Sequence, residues 1–174
     1  MDTGPLFLQE KVRVETEDDA ITLKKKLIEA GLTGLNKLMA ELSQGLVKKE
    51  PQKGEVSHAP RLKKEDGRIN WTQGAKEIFN LVRGVIEWPG AYTFYRSSES
   101  GSKQLKISKV EIVDFVRKGK APGEIVTVEK NEGIVVQTGQ GQLLLKEVQP
   151  EGKKPMDAWS FWQGARLNVG DKFI

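Results

Sequence analysis

The sequence predicts an α+β fold in three parts: a βα piece from the end of a larger α/β domain at residues 1–46, a basic linker at 47–70, and a small antiparallel β-barrel domain at 71–174. Three observations carry this. Apolar residues recur three or four apart from Ile21 to Leu46, charges and prolines crowd the stretch that follows, and five short alternating segments separated by turn-rich sequence fill the second half.

Met1 to Pro5 reads as a turn, and Leu6 to Val14 alternates apolar and polar residues as a strand does. The helical pattern that follows includes Leu27, Ile28, Leu32, Leu35, Leu38 and Met39, with Thr16 and Asp19 in capping-box spacing and Gly45 at its end. One strand and one helix cannot close a core, so this region is expected to be part of something larger. Residues 47–70 hold two prolines, two glycines and eleven charges, the composition of an extended solvated connector. At about 3.3 Å per residue its first dozen residues cover roughly 40 Å.

A second helix is predicted from Thr72 as N-cap to the stop at Trp88-Pro89-Gly90, with Ala75, Ile78, Phe79, Val82, Val85 and Ile86 on one face. Strands are predicted at 91–96, 104–113, 124–128, 133–137 and 142–148. Five short strands in so little chain suggest a closed or nearly closed barrel, because closure removes unpaired edges. Met156, Trp159, Phe161 and Trp162 lie on a short terminal helix expected to plug or flank the barrel.

Composition narrows the chemistry. There is no cysteine and a single histidine, His58, which excludes disulfides and thiolate chemistry and leaves too few ligands for an ordinary zinc site. Neither a metal nor a membrane is expected as a partner, since no apolar run approaches the roughly 20 residues that span a bilayer. A cytoplasmic location is expected. The net charge of +4 is unevenly spread: residues 1–46 carry six Lys/Arg against eight Asp/Glu, residues 47–70 seven against four, and residues 71–174 fifteen against twelve. A cationic excess that begins at the linker and continues beyond it suits a polyanionic partner.

Arg61, Lys63, Lys64 and Arg68 cluster beside Trp71 and are the first candidates for phosphate contact; Lys153, Lys154 and Arg166 flank the terminal helix and extend the stripe. Lys24, Lys25 and Lys26 read as a solvated helix face, and His58 as a surface residue without an orienting partner. Trp159 and Trp162 have two readings, bases stacked on them or core packing. Asp2-Thr3-Gly4 shares its letters with aspartic proteases, but no apolar strand leads into it; taken alone, Asp2 reads as an acceptor for backbone N–H groups in a tight turn.

Three stretches together resemble one family. MDTGPLFLQEKV resembles the end of the catalytic domain of enzymes that use 10-formyltetrahydrofolate, while HAPRLKKEDGRINW with WPGAYTFY, and then VQPEGKKPMDAWSFWQGARLNVGDKF, resemble the linker, barrel entry and terminus of methionyl-tRNA formyltransferases. Asn70 stands where the family more usually has aspartate. The resemblance implies that residues 1–46 are the C-terminal remnant of a Rossmann-like formyltransferase domain, and that 71–174 form an OB-like barrel that holds initiator methionyl-tRNA. It implies formyl transfer from 10-formyltetrahydrofolate, as co-substrate, to the methionine amino group by an asparagine, a histidine and an aspartate. Asp2 matches the aspartate, placed to tune the histidine and help move the amine proton.

The asparagine, the histidine and the folate-binding half have no counterpart in this sequence. The chain alone is therefore expected to be inactive, to bind no folate, and to retain weak, salt-dependent tRNA binding. The alternative is a stand-alone RNA-binding barrel or adaptor, which requires residues 1–46 to form a self-contained helical hairpin. A formyltransferase acting on a nucleotide sugar or free folate, a third reading, would lack the basic linker.

Overall fold

The computed structural model describes residues 4–97, 101–113 and 120–174, in two compact units, Met1–Arg61 and Leu62–Ile174. In the first unit the helix α1 spans Ala20–Ser43. Its capping box pairs Asp19 with Thr22, not with Thr16: the Asp19 carboxylate accepts from the Ile21 and Thr22 amides at 2.9 and 2.8 Å, and the Thr22 hydroxyl accepts from the Asp19 amide at 2.9 Å. The box lies one turn further on than the expected pair, with Asp19 as N-cap instead of third helical residue. Gly45 ends the helix at φ 68°, a conformation that glycine adopts without a Cβ penalty.

The strand expected at Leu6–Val14 does not form. The segment belongs to no ladder, and only Leu6 pairs, exchanging backbone hydrogen bonds with Glu50 at 2.7 and 2.9 Å. An alternating sequence becomes a strand only beside partners, and the described residues offer it none. It lies along α1 instead, with Leu8 over the buried Gly34, where an added Cβ would come within 3.1 Å of the leucine side chain. The apolar stripe of α1 stays open to solvent: Leu27, Leu32, Leu35 and Met39 are each more than half exposed. The described residues of this stretch, 4–46, thus hold one helix and an extended segment, not a helical hairpin.

In the second unit Lys64–Gly67 make a 3-10 turn, pressed so closely on the sheet that a Cβ at Gly67 would lie 2.2 Å from the Gly90 carbonyl oxygen. Helix α2 covers Ala75–Gly84 and buries Ala75, Ile78 and Val82. Its N-cap is Gly74, whose amide donates to Glu77 at 2.8 Å, and not Thr72. Asn70 holds Thr72 in a preceding turn, its side-chain oxygen accepting from the Thr72 amide and hydroxyl at 3.1 and 2.7 Å, and the helix starts two residues later than expected.

Six antiparallel strands follow: β1 (Ala91–Ser97), β2 (Gly101–Val113), β3 (Ile125–Glu129), β4 (Gly133–Gln137), β5 (Gln142–Pro150) and β6 (Met156–Asp157), then helix α3 (Ala158–Ala165). Of the turn-rich segments SSESGS and KGKAPG expected between the strands, residues 98–100 and 118–119 lie outside the described residues. The sheet order is β1-β2-β5-β4-β3, with β6 on β5. Among the described residues this is an open path, so the closed or nearly closed OB-like barrel expected from the sequence is corrected to an open six-stranded sheet. The two outer strands are protected without strand closure, because the last residues bond to both sides. Ile174 exchanges backbone bonds with Phe94 of β1 at 2.8 and 3.0 Å, while Phe173 donates to the Gly123 carbonyl at 2.9 Å and Ile125 to that of Asp171 at 2.8 Å.

Halfway along, the β2–β5 ladder breaks: Ile107 faces Val148 and Val110 faces Leu145, with Ser108 and Lys109 on one side and Lys146 and Glu147 on the other. The inward series changes accordingly from Leu105 and Ile107 to Val110, and from Leu143 and Leu145 to Val148. The core lies between the sheet, α2 and α3, and includes Ile78, Leu105, Ile134, Leu145 and Phe161.

Candidate functional site

Inward positions of β1 alternate as Ala91, Thr93 and Tyr95, and the pairing register sets Lys103 of β2 directly across from Tyr95. Where these strands run past the core, α3 crosses beside them, starting at the N-cap Asp157, whose carboxylate accepts from the Ser160 amide at 2.8 Å. Phe161 meets Tyr95 edge to face, ring centroids 5.2 Å apart. Between strand ends and helix opens a cavity of about 360 Å³, with Lys103, Lys153 and Arg166 around it and Glu151 and Ser160 among its polar lining. Burial, and then the negative charge of Glu151, raise the Tyr95 phenol above its ordinary pKa, so it remains a neutral hydroxyl through the physiological range.

Of the expected phosphate contacts, the structure therefore brings Lys153 and Arg166 to one cavity and adds Lys103, which sequence reading missed. Arg166 adopts a left-handed conformation, φ 54°, at the C-cap of α3. Lys154 is exposed but lines no described cavity. Arg68 lines a second cavity with Asn70 and Trp71, and its guanidinium stands 5.7 Å from the Phe94 ring centroid. Trp71 itself is buried, donating from its indole nitrogen to Thr93 Oγ1 at 3.0 Å and stacked against Phe173, and offers no face to a base. Lys63 and Lys64 are exposed around the 3-10 turn, and Arg61 is exposed in the first unit.

Trp159 and Trp162 stack on one another, centroids 5.4 Å apart, in half-buried positions on α3. His58 is exposed. Asp2 lies outside the described residues. Lys26 is not simply solvated, since it pairs with the buried Asp18 at 2.7 Å, and that bond together with the Glu15 amide holds the Asp18 carboxyl below its usual pKa. Among the described residues no group of three His, Asp or Glu side chains gathers as metal ligands, and no helix is long and apolar enough to cross a membrane.

Residues 61–166, more than half of the sequence and nearly all of the second unit, match the family model described as formyl transferase, C-terminal domain. The chain belongs to the formyl transferase family. The curated relatives of this formyl transferase chain include a methionyl-tRNA formyltransferase of Thermodesulfovibrio yellowstonii, 41% identical over 98% of the chain and 52% of the relative. Another, from Endomicrobium trichonymphae, is 36% identical over 99% of the chain and 55% of the relative. The formyl transferase chain thus spans about half the length of the curated relatives it matches. Among solved structures, HypX from Aquifex aeolicus in complex with tetrahydrofolic acid superposes with a TM-score of 0.65 at 16% identity, covering 98% of this chain and 29% of that one. A variant of the same protein gives 0.66. At this identity the likeness concerns the fold.

Proposed function

We propose that this chain is the tRNA-holding portion of a methionyl-tRNA formyltransferase that acts in the cytoplasm during translation initiation. The observation that carries the reading is the 41% identity to a protein of that name along 98% of the chain. In the complete enzyme the amino nitrogen of methionine on initiator tRNA bonds to the formyl carbon of 10-formyltetrahydrofolate. The bond from that carbon to N10 breaks, and the proton lost by the amine restores tetrahydrofolate. Asp2 serves as the carboxylate beside the histidine that manages this proton, while the histidine, the asparagine and the folate site belong to the length of the relatives beyond this chain.

The chain's own contribution is to hold RNA by charge. An A-form duplex presents phosphates and shape, not a groove that side chains can read, so Arg61, Lys63, Lys64, Arg68, Lys153, Lys154 and Arg166 act as backbone contacts. The adaptor reading gains nothing from residues 1–46, which lack the helical hairpin it requires.

The test is tRNA affinity measured across a series of salt concentrations. Binding is expected to weaken steeply with salt, and replacing Arg61, Lys63 and Lys64 by alanine should flatten the log–log slope by up to about three. Affinity indifferent to salt, or a triple variant with an unchanged slope, would remove this contact surface. The chain alone is expected to show no formylation, and any turnover without added protein would refute the assignment of the missing catalytic groups.

A further inference from the structure

We propose that the cavity between the ends of β1 and β2 and helix α3 is a mononucleotide pocket, which takes one unstacked nucleotide of a bound RNA strand. Its source of ligand rests on the tRNA-holding reading; its chemistry does not.

Size is the first argument. At about 360 Å³ the cavity is at the small end of the range of ligand pockets, too narrow for a duplex and much larger than a phosphate ion requires. The wall is the second. Tyr95 and Phe161 line the cavity, and at 7% and 4% exposure, locked edge to face, they form a rigid inner wall that a ribose or base edge can touch but not a ring face on which a base can stack. The third is the distribution of charge. Lys103 stands across the ladder from Tyr95, Lys153 comes from the turn after β5, and Arg166 from the end of α3, so cations reach the opening from three separate elements. Cations at a rim suit a phosphate that stays linked to a strand outside.

Glu151 makes the pocket selective. A carboxylate repels a bare anion, but it accepts hydrogen bonds from ribose hydroxyls, and Ser160 offers a second polar contact beside it. A nucleotide satisfies both the cations and the carboxylate, whereas inorganic phosphate satisfies only the cations. Room for the ligand is provided by Gly164, where an added Cβ would meet nothing within 4 Å. A larger side chain at that position can occupy the space without disturbing the core.

The full chain, isotope-labelled, should be titrated with cytidine 5′-monophosphate, cytidine and inorganic phosphate, with the amide signals of Lys103, Ser160 and Gly164 followed by NMR. The nucleotide is expected to bind saturably and about tenfold more tightly than either of its parts. Lys103→Ala should weaken it about tenfold, and Gly164→Leu should abolish binding with the melting temperature preserved. Equal binding of inorganic phosphate, absence of shifts, or a Gly164→Leu chain that still binds the nucleotide overturns the pocket. With tRNA as ligand, Gly164→Leu should lower affinity and reduce the salt slope by no more than about one, because only the phosphate held at the pocket rim is lost; no loss of tRNA affinity overturns the strand as the source of the nucleotide. Nucleotide binding without tRNA binding supports the pocket and sinks the tRNA-holding reading, and the converse does the reverse.

Discussion

The Asp18 carboxylate is 6% exposed, held by Lys26 and by the Glu15 amide, and its pKa is displaced downward chiefly by the lysine hydrogen bond. A carboxyl lowered on folding contributes stability that is complete above its unfolded pKa and disappears as pH falls through the folded value. Asp18→Asn should therefore lower the melting temperature at pH 7, and the difference from the parent should vanish on acidification below the ordinary carboxylate range; a difference that persists at low pH would assign the effect to packing. At the other end of the chain Asp157→Ala removes the side-chain acceptor of the Ser160 amide and should cost about 1 kcal/mol in urea unfolding. Neither role was read from the sequence, where the one cap spacing expected for the first helix, Thr16 with Asp19, lies one turn from the observed box. The Asp18–Lys26 pair spans two helical turns, and Lys103 joins Tyr95 only through a hairpin register, so neither partner follows from local pattern.

Elements were more legible than their pairing. The five main strands sit within three residues of where alternation put them, because β-branched and aromatic residues between turn sequences have few other uses. Closure was not legible, since protection of the outer strands is supplied by four terminal residues that carry no strand pattern. The Leu6–Val14 alternation misled for the opposite reason: it encodes a face to be covered, and pairing needs neighbours. Burial makes the sheet's energetics specific. Leu145→Ala, at a position with no exposure, should cost about 2–5 kcal/mol, whereas Ile112→Ala on the same sheet, 41% exposed, should cost less than about 1 kcal/mol. Similar costs at the two positions, measured by chemical denaturation, would contradict the described register.

At the scale of the molecule the two units differ in how much apolar surface they hide. The second has a continuous core from Ile69 to Phe173, and residues 62–174 expressed alone should unfold cooperatively with a melting temperature close to that of the parent. The first leaves Leu27, Leu32, Leu35 and Met39 more than half exposed on one helix, an apolar stripe that is expected to favour association. Leu32→Lys with Leu35→Glu should reduce self-association in sedimentation experiments without lowering the second unit's stability, and unchanged association would place the sticky surface elsewhere. The candidate site was half legible at this scale. Charge clustering identified Lys153 and Arg166, but the hollow they line exists only because a hairpin end and a helix end meet there.

The break in the β2–β5 ladder gives this fold a place of slack. Each strand takes three steps, Ile107 to Val110 and Leu145 to Val148, between residues that both face inward, whereas strict alternation returns a side chain to the same face only after an even number of steps. Excising Ser108 and Lys146 together would leave Leu105, Ile107 and Val110 opposite Pro150, Val148 and Leu145 as before, in an unbroken ladder. Excising Lys106, where no spare residue exists, would force Leu105 or Ile107 out of the interior. Length variation in this sheet is thus tolerable at one address and ruinous two positions away.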